Sequence, residues 1–284
     1  MAGLNRKHFF NENYFEKIDT EQKAYWIGFF YADGHVNHST LQCALQEKDA
    51  PHLQLFLNDI QANDVEIKYN KINNTSITGR FSLCSVKIAD DLRKLGFSNR
   101  KSYESTDVIF QNIPDELKWH FIRGFWDGDG CIRIRAKKSG EISCISLNEK
   151  LLQSFCDYFN KIFNDQNFSK IFLSEEKYYR IRLGGEKAKK VCKFLYKNST
   201  IYLDRKYQNY LQFKTYNRNY KGIRQRKNGR YQPYMVINGR QQTFGTYATI
   251  KEAIDVYNKA AIEYGKETQI YIGESLIRNE EDIL

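Results

Sequence analysis

The apolar positions of this chain gather in two unusual runs, Trp26-Ile27-Gly28-Phe29-Phe30-Tyr31-Ala32 and Ile122-Arg123-Gly124-Phe125-Trp126. Both are apolar around nearly the whole helical circumference, the pattern of a buried helix rather than a surface one. They predict a helix over about residues 20–33, with Asp19 and Gln22 placed as a capping box, and a second helix running to Asp129. The pattern behind the two runs then repeats. Behind the first, Leu41, Cys43 and Leu45 alternate with Gln42, Ala44 and Gln46, which predicts a strand over 40–46. A helix follows over 51–62, then strands over 65–72 and 80–84 about an Asn73-Asn74 turn, then a helix over 86–95 stopped by Gly96. Behind the second, Ile132, Ile134 and Ala136 alternate with Arg133 and Arg135. A helix fits 148–163, strands fit 171–174 and 178–183, and a helix fits 186–196. Each half reads as α-β-β-α-β-β-α or close to it, an internal repeat of about 100 residues.

Past residue 205 the pattern changes. From Arg205 to Lys251 there is no Asp or Glu, and basic residues are interleaved with Tyr, Phe, Ile and Val at strand spacing. Strands are expected over 221–226, 231–237 and 241–247, joined by Asn228-Gly229 and Asn238-Gly239 hairpin turns. Thr249, with Glu252 three residues on, starts a helix that runs to about Tyr264 and stops at Gly265. Ala253, Val256, Tyr257 and Ala260 would form its core face against the strands. The parts expected are a first repeat over 1–105, a second over 106–216, a β-β-β-α unit over 217–268 and a tail over 269–284.

Composition adds three constraints. The chain has 284 residues, 41% of them apolar, enough for a duplicated domain plus a small module. Lys and Arg exceed Asp and Glu by 44 to 34, a net charge of +10 that suggests a polyanionic partner, nucleic acid first. The 6 cysteines form no Cys-x-x-Cys pair, which reads as reduced thiols rather than disulfides or a zinc site. No apolar run approaches the ~18 residues of a membrane span, and the N-terminus lacks an apolar signal core. A cytoplasmic protein with no membrane contact is expected.

The two opening runs carry the candidate chemistry. Each ends in Asp-Gly, at Asp33-Gly34 and Asp129-Gly130. The last turn of a helix has unpaired carbonyls and a partial negative charge, so a carboxylate there is disfavoured. Two such ends imply something cationic between them. Gly28 and Ala32, and Gly124 and Gly128, are four apart on one face, which would let two helices approach closely. The polar sides of the strands carry Gln42, Gln46, Arg80 and Ser82 in the first half, and Arg133, Arg135, Arg180 and Arg182 in the second, without Asp or Glu. Long hydrogen-bonding side chains on an exposed sheet suit base edges and phosphates in a DNA groove. His35-x-x-His38 has no counterpart in the second half and no partner constellation, so it does not read as a metal pair.

These motifs resemble those of the LAGLIDADG homing endonucleases, over roughly residues 20–215. The resemblance implies an α+β pseudo-dimer in one chain, with saddle-shaped antiparallel sheets and the two motif helices packed at its centre. It implies a monomer that cuts a long, asymmetric double-stranded DNA target and leaves staggered ends, in a phage, bacterial or organellar setting and with intron homing as its role. Residue by residue, the family's metal-binding acidic position falls on Asp33 and Asp129, and its carbonyl ligands on Ala32 and Gly128. Mg²⁺ is the implied ion, with Mn²⁺ as a substitute. Lys101 and Lys206 follow Arg100 and Arg205 and stand as pocket bases or charge stabilisers. Tyr31 replaces the motif's first acidic residue, which Asp127 keeps in the second copy. That position is structural in the family. The C-terminal unit resembles the AP2 DNA-binding domain through Tyr220-Lys221-Gly222-Ile223-Arg224, Gly229-Arg230-Tyr231 and Phe244-Gly245-Thr246-Tyr247. This second resemblance implies DNA contact by Lys221, Arg224, Arg226, Lys227, Arg230 and Arg240. The competing expectation is a non-cutting DNA- or RNA-binding protein, a repressor or an intron maturase, on the same scaffold.

Overall fold

The computed structural model describes residues 8–72, 76–98, 101, 104–134, 140–174, 177–215, 222–266 and 268. The chain divides into two compact units, 1–216 and 217–284. In the first, helix α1 (Glu21–Asp33) is followed by β1 (Gly34–Asn37), β2 (Thr40–Gln46), α2 (His52–Asp59), β3 (Lys68–Ile72), β4 (Ser76–Cys84) and α3 (Val86–Leu95). The single turn α4 (Val108–Gln111) and a 3-10 turn, Asp115–Leu117, lead into a second round. This comprises α5 (Lys118–Asp129), β5 (Gly130–Ile134), β6 (Gly140–Ser146), α6 (Glu149–Ile162), β7 (Ile171–Ser174), β8 (Tyr178–Gly184) and α7 (Gly185–Tyr196), closed by α8 (Asp204–Thr215). The two antiparallel sheets have matching orders, β1-β2-β4-β3 and β5-β6-β8-β7. Their registers match as well. Gly34 faces Cys43 and Gly130 faces Cys144, while Cys43 pairs with Phe81 and Cys144 with Ile181.

Strand alternation decides which face is buried. Leu41, Cys43 and Leu45 face the core, while Gln42, Ala44 and Gln46 face solvent. Ser85 caps α3 by accepting from the backbone N–H of Ile88, and Gly96 ends it at φ 116°, a conformation costly for any residue with a Cβ. Helices α1 and α5 pack backbone on backbone. A Cβ built on Gly28 would collide with the carbonyl of Phe121, one on Gly124 with the carbonyl of Tyr25, and one on Gly128 with the Cβ of Ala32. The small residues four apart are therefore the contact itself.

Some expectations need correction. The cap of α1 is Thr20, whose hydroxyl accepts from the N–H of Lys23; Asp19 instead pairs with the Lys23 ammonium at 2.8 Å. The strand expected from residue 65 starts at Lys68, and α2 covers only the middle of the helix expected over 51–62. The two strands expected after each motif helix are both present, but the sequence pattern gives β1 and β6 no residues, and helix α8 was not expected. β1 is only 4 residues long, and β6 opens on the glycine of a Lys-Lys-Ser-Gly stretch whose sequence reads as loop. The Asn73-Asn74 turn and Ala136 lie outside the described residues.

The second unit holds β9 (Ile223–Gln225), β10 (Tyr231–Ile237), β11 (Arg240–Thr243) and α9 (Ile250–Glu263), with sheet order β11-β10-β9. Ile223 and Met235 pack on Ala253, Ile254, Tyr257, Ala260 and Ala261, so Ile254 and Ala261 join the core face expected of this helix, while Val256 is only half-buried. Asn238 and Gly239, at φ 49° and 77°, form the β10–β11 turn. The Thr249–Glu252 capping box is present in full. β11 is shorter than expected: regular pairing stops at Thr243, and Tyr247 returns only for a single bridge to Tyr231. Among the described residues, no helix is long and apolar enough to cross a membrane.

Candidate active site and nucleic-acid interface

Helices α1 and α5 end side by side at Asp33 and Asp129, and extended residues Gly34 and Gly130 carry the chain straight into β1 and β5. Neither helix has a basic residue in its last turn. Two lysines from elsewhere supply that charge. The Lys101 ammonium donates to the carbonyls of Tyr31 and, at 3.0 Å, Ala32. The Lys206 ammonium donates to Trp126 at 2.8 Å, to Asp127, and to Gly128 at 3.0 Å. Both lysines are buried. Loss of water pushes Lys101 down to about 8, against the opposing pull of Asp129 and Asp33, and pushes Lys206 down as well.

The carboxylates have the opposite character. Each residue keeps solvent-exposed surface, yet protein closes round the remaining sides. That partial desolvation raises the pKa of Asp33, and it raises Asp129 to about 6 with the charge of Asp33 adding to the effect. Among the described residues, neither side chain has a hydrogen-bond donor. The site is thus two unpartnered carboxylates with two buried ammonium groups behind them.

The residues two positions earlier are tied into the interior. The Asp127 carboxylate accepts from the Tyr25 hydroxyl at 2.9 Å, from the Leu203 N–H at 2.7 Å and from the Tyr196 hydroxyl at 3.3 Å. Tyr31 is also buried, and its hydroxyl accepts from Asn148 at 3.3 Å. Sequence reasoning missed Arg123. It is fully buried, bonded to Glu21 at 2.7 Å and to the carbonyls of Ile201 at 2.9 Å and Leu195 at 2.8 Å, so it straps α5 to the chain leading into Lys206. An arginine inside an apolar helical run was the available signal.

The sheets place the expected polar residues outward. Gln42, Gln46, Arg80 and Ser82 are exposed on the first sheet, with Gln42 donating to Ser82 at 3.3 Å. Arg133 and Arg182 are exposed on the second, where Arg180 is half-buried. These faces are not free of acids: Glu141, on β6, holds Arg182 at 2.7 Å. Exposed His35 lies on β1 and pairs across the ladder with Gln42. In the second unit, the Arg224 guanidinium bonds the Gln232 side chain at 2.9 and 2.8 Å and lies 5.4 Å from the Tyr234 ring centre. Arg226, Lys227 and Arg230 occupy the exposed β9–β10 turn, and Arg240 opens β11. Arg135 and Lys221 lie outside the described residues.

Residues 116–194 match the family model for a LAGLIDADG-like domain, a span from the 3-10 turn through most of α7 and so the second repeat. No curated protein matches the chain. Among solved structures the chain is similar to the homing endonuclease I-WcaI bound to its DNA recognition sequence, with 13% identity, 68% of this chain and 89% of that one covered, and a TM-score of 0.48. It is similar to the LAGLIDADG meganuclease I-CpaMI bound to uncleaved DNA, with 13% identity, 67% and 89% covered, and a TM-score of 0.44. It is also similar to I-DmoI in complex with DNA and Mn, with 16% identity, 62% and 97% covered, and a TM-score of 0.39. The first unit is an α+β fold with antiparallel sheets, and the match to the LAGLIDADG-like domain model falls on its second repeat.

Proposed function

We propose that the chain is a homing endonuclease that cuts both strands of a specific DNA target with a divalent metal ion and leaves staggered ends. The observation that carries this reading is the pair Asp33 and Asp129, two carboxylates without a hydrogen-bond donor among the described residues, at the touching ends of glycine-packed helices. Two negative charges held close in partly desolvated surroundings are unfavourable, and a cation between them removes the penalty.

The donor set suits Mg²⁺, with Mn²⁺ able to replace it. Among the described residues no group of three or more His, Cys, Asp or Glu converges to hold a metal. Mg²⁺ does not require such a group: it keeps several waters and binds through one or two carboxylates and substrate phosphates. Asp33 and Asp129 would hold it, aided by the carbonyls of Ala32 and Gly128, which each retain a lone pair beside the lysine bond. When bound, the ion supplies charge neutralisation and an acidified water.

Lys101 and Lys206 fix the helix ends and keep positive charge next to the scissile phosphates. The outer faces of the two sheets hold one half of the target each, so a single chain suffices as a monomer. The second unit, through its AP2-like β-β-β-α order, adds DNA contacts by Arg224, Arg226, Lys227, Arg230 and Arg240. Its tethering raises effective concentration without new chemistry.

In Mg²⁺ the purified protein is expected to linearise a plasmid carrying its target. Asp33→Asn and Asp129→Asn should each bind that plasmid and lose cutting by about 100-fold or more, the scale of removing one key group from a charge-stabilising site. Normal cutting by these variants overturns the assignment. One observation favours a second reading, a non-cutting DNA- or RNA-binding protein: lysine ammonium groups already occupy the Ala32 and Gly128 carbonyls. That reading predicts target binding by the wild type with no Mg²⁺-dependent cleavage.

A further inference from the structure

Arg80 and Arg180 occupy the same place in the two repeats. Arg80 pairs with Ala44 on β2 and Lys68 on β3; Arg180 pairs with Ile145 on β6 and Phe172 on β7. Directly opposed residues on antiparallel strands share a face. It is the outer face in both sheets, because the next residues along, Phe81 and Ile181, are buried.

Among the described residues neither guanidinium has a hydrogen bond or an ion pair. On the second sheet Arg182 is already held by Glu141 at 2.7 Å, while exposed Arg133, which also lacks a hydrogen bond or ion pair among the described residues, stands where the first repeat has Asn37 and so has no arginine counterpart. The free fork of an arginine matches the O6 and N7 acceptors of guanine in the major groove.

The two settings differ in what frames the fork. Arg80 stands exposed between a methyl group and the cationic Lys68. Arg180 is half-buried between Ile145 and Phe172, and Phe172 leaves 44% of its surface in water. An aromatic ring and a branched alkyl chain on a groove-facing sheet offer nothing to a phosphate. The apolar feature of a major-groove edge is the thymine methyl group.

We infer that Arg80 and Arg180 are the guanine-reading residues of the two half-sites, at mirror positions about the target centre, and that the Ile145–Phe172 frame makes only the second half prefer a thymine beside its guanine. This rests on the endonuclease reading only in requiring DNA to lie across the sheets.

The test is selection of bound sequences from a random duplex library by the full-length protein, with Ca²⁺ replacing Mg²⁺ so that bound DNA stays intact. The wild type should enrich guanine at two mirrored positions, with an adjoining thymine at one. Arg180→Lys keeps the charge but not the fork. It should keep overall affinity and salt dependence while relaxing guanine preference by about 10- to 100-fold, the worth of one bidentate contact, in one half-site. Arg80→Lys should do the same in the other half. Phe172→Ser, at an exposed position, should lose the thymine preference and keep the guanine. Guanine preference unchanged in Arg180→Lys, or both lysine variants altering the same position, overturns the inference. Salt-dependent binding without any enriched guanine also overturns it and leaves DNA binding standing. Absence of DNA binding removes the endonuclease reading together with it.

Discussion

His52 lies against the rings of Trp26 and Phe29, 8% exposed, with its Nε2 2.8 Å from the Tyr25 hydroxyl. Burial pulls its pKa down to about 4, only partly offset by Asp49. An unfolded histidine titrates near ~6.5. The folded state therefore binds fewer protons between these values, and stability present above pH ~6.5 drains away as pH falls toward ~4, by about 3 kcal/mol in all. Denaturant unfolding at pH 7 and pH 4.5 checks this: His52→Gln should show a smaller loss between the two than the wild type, and equal losses would refute the burial account. Arg123 offers a second case. Arg123→Ala leaves Glu21 without its charged partner, and urea unfolding should show a cost of about 3–5 kcal/mol. Removing both partners should cost less than the sum of the two single changes. Legibility at this scale followed local oddity. Asp33 and Asp129 stood out because a carboxylate at a helix end breaks a rule that can be read within one turn. The roles of Arg123 and Glu141 depend on partners far along the chain or on a strand the pattern does not place, so only the fold reveals them.

Among elements, the α1–α5 contact is the one most exposed to a single methyl group. Gly28→Ala places that methyl against the Phe121 backbone, which has no rotamer to yield with. Thermal unfolding should show a loss of about 1–3 kcal/mol or more. Gly229→Ala is the contrast: at φ 80° it carries backbone strain but meets nothing within 4 Å, so about 1 kcal/mol is expected. Equal losses at the two glycines would mean the helices do not touch as described. Elements with strong internal signals were readable from the chain: α3 and α6 between their caps, β2 by its alternation, and β10 between its hairpin turns. β1 and β6 were hidden because a strand of a few residues gains its stability from neighbours rather than from its own pattern.

For the molecule as a whole, the repeat and the change of composition past residue 205 were both visible without coordinates, because each is a statistical property of many residues. Each unit has its own core. Deleting residues 218–284 should therefore leave the remainder with a cooperative unfolding transition of its own. It should also weaken DNA binding and flatten its salt dependence by about 0.9 in log–log slope for each phosphate that is no longer neutralised. Unchanged affinity on filter binding would remove the second unit from the interface. The glycine contact between α1 and α5 also governs how such a chain can diverge. A gap set by side chains drifts whenever a lineage exchanges one core residue for another. A gap set by backbone against backbone has nothing to exchange except the glycines themselves. Descendants can then rewrite both sheets for new targets, each half separately, while inheriting an unaltered separation between Asp33 and Asp129.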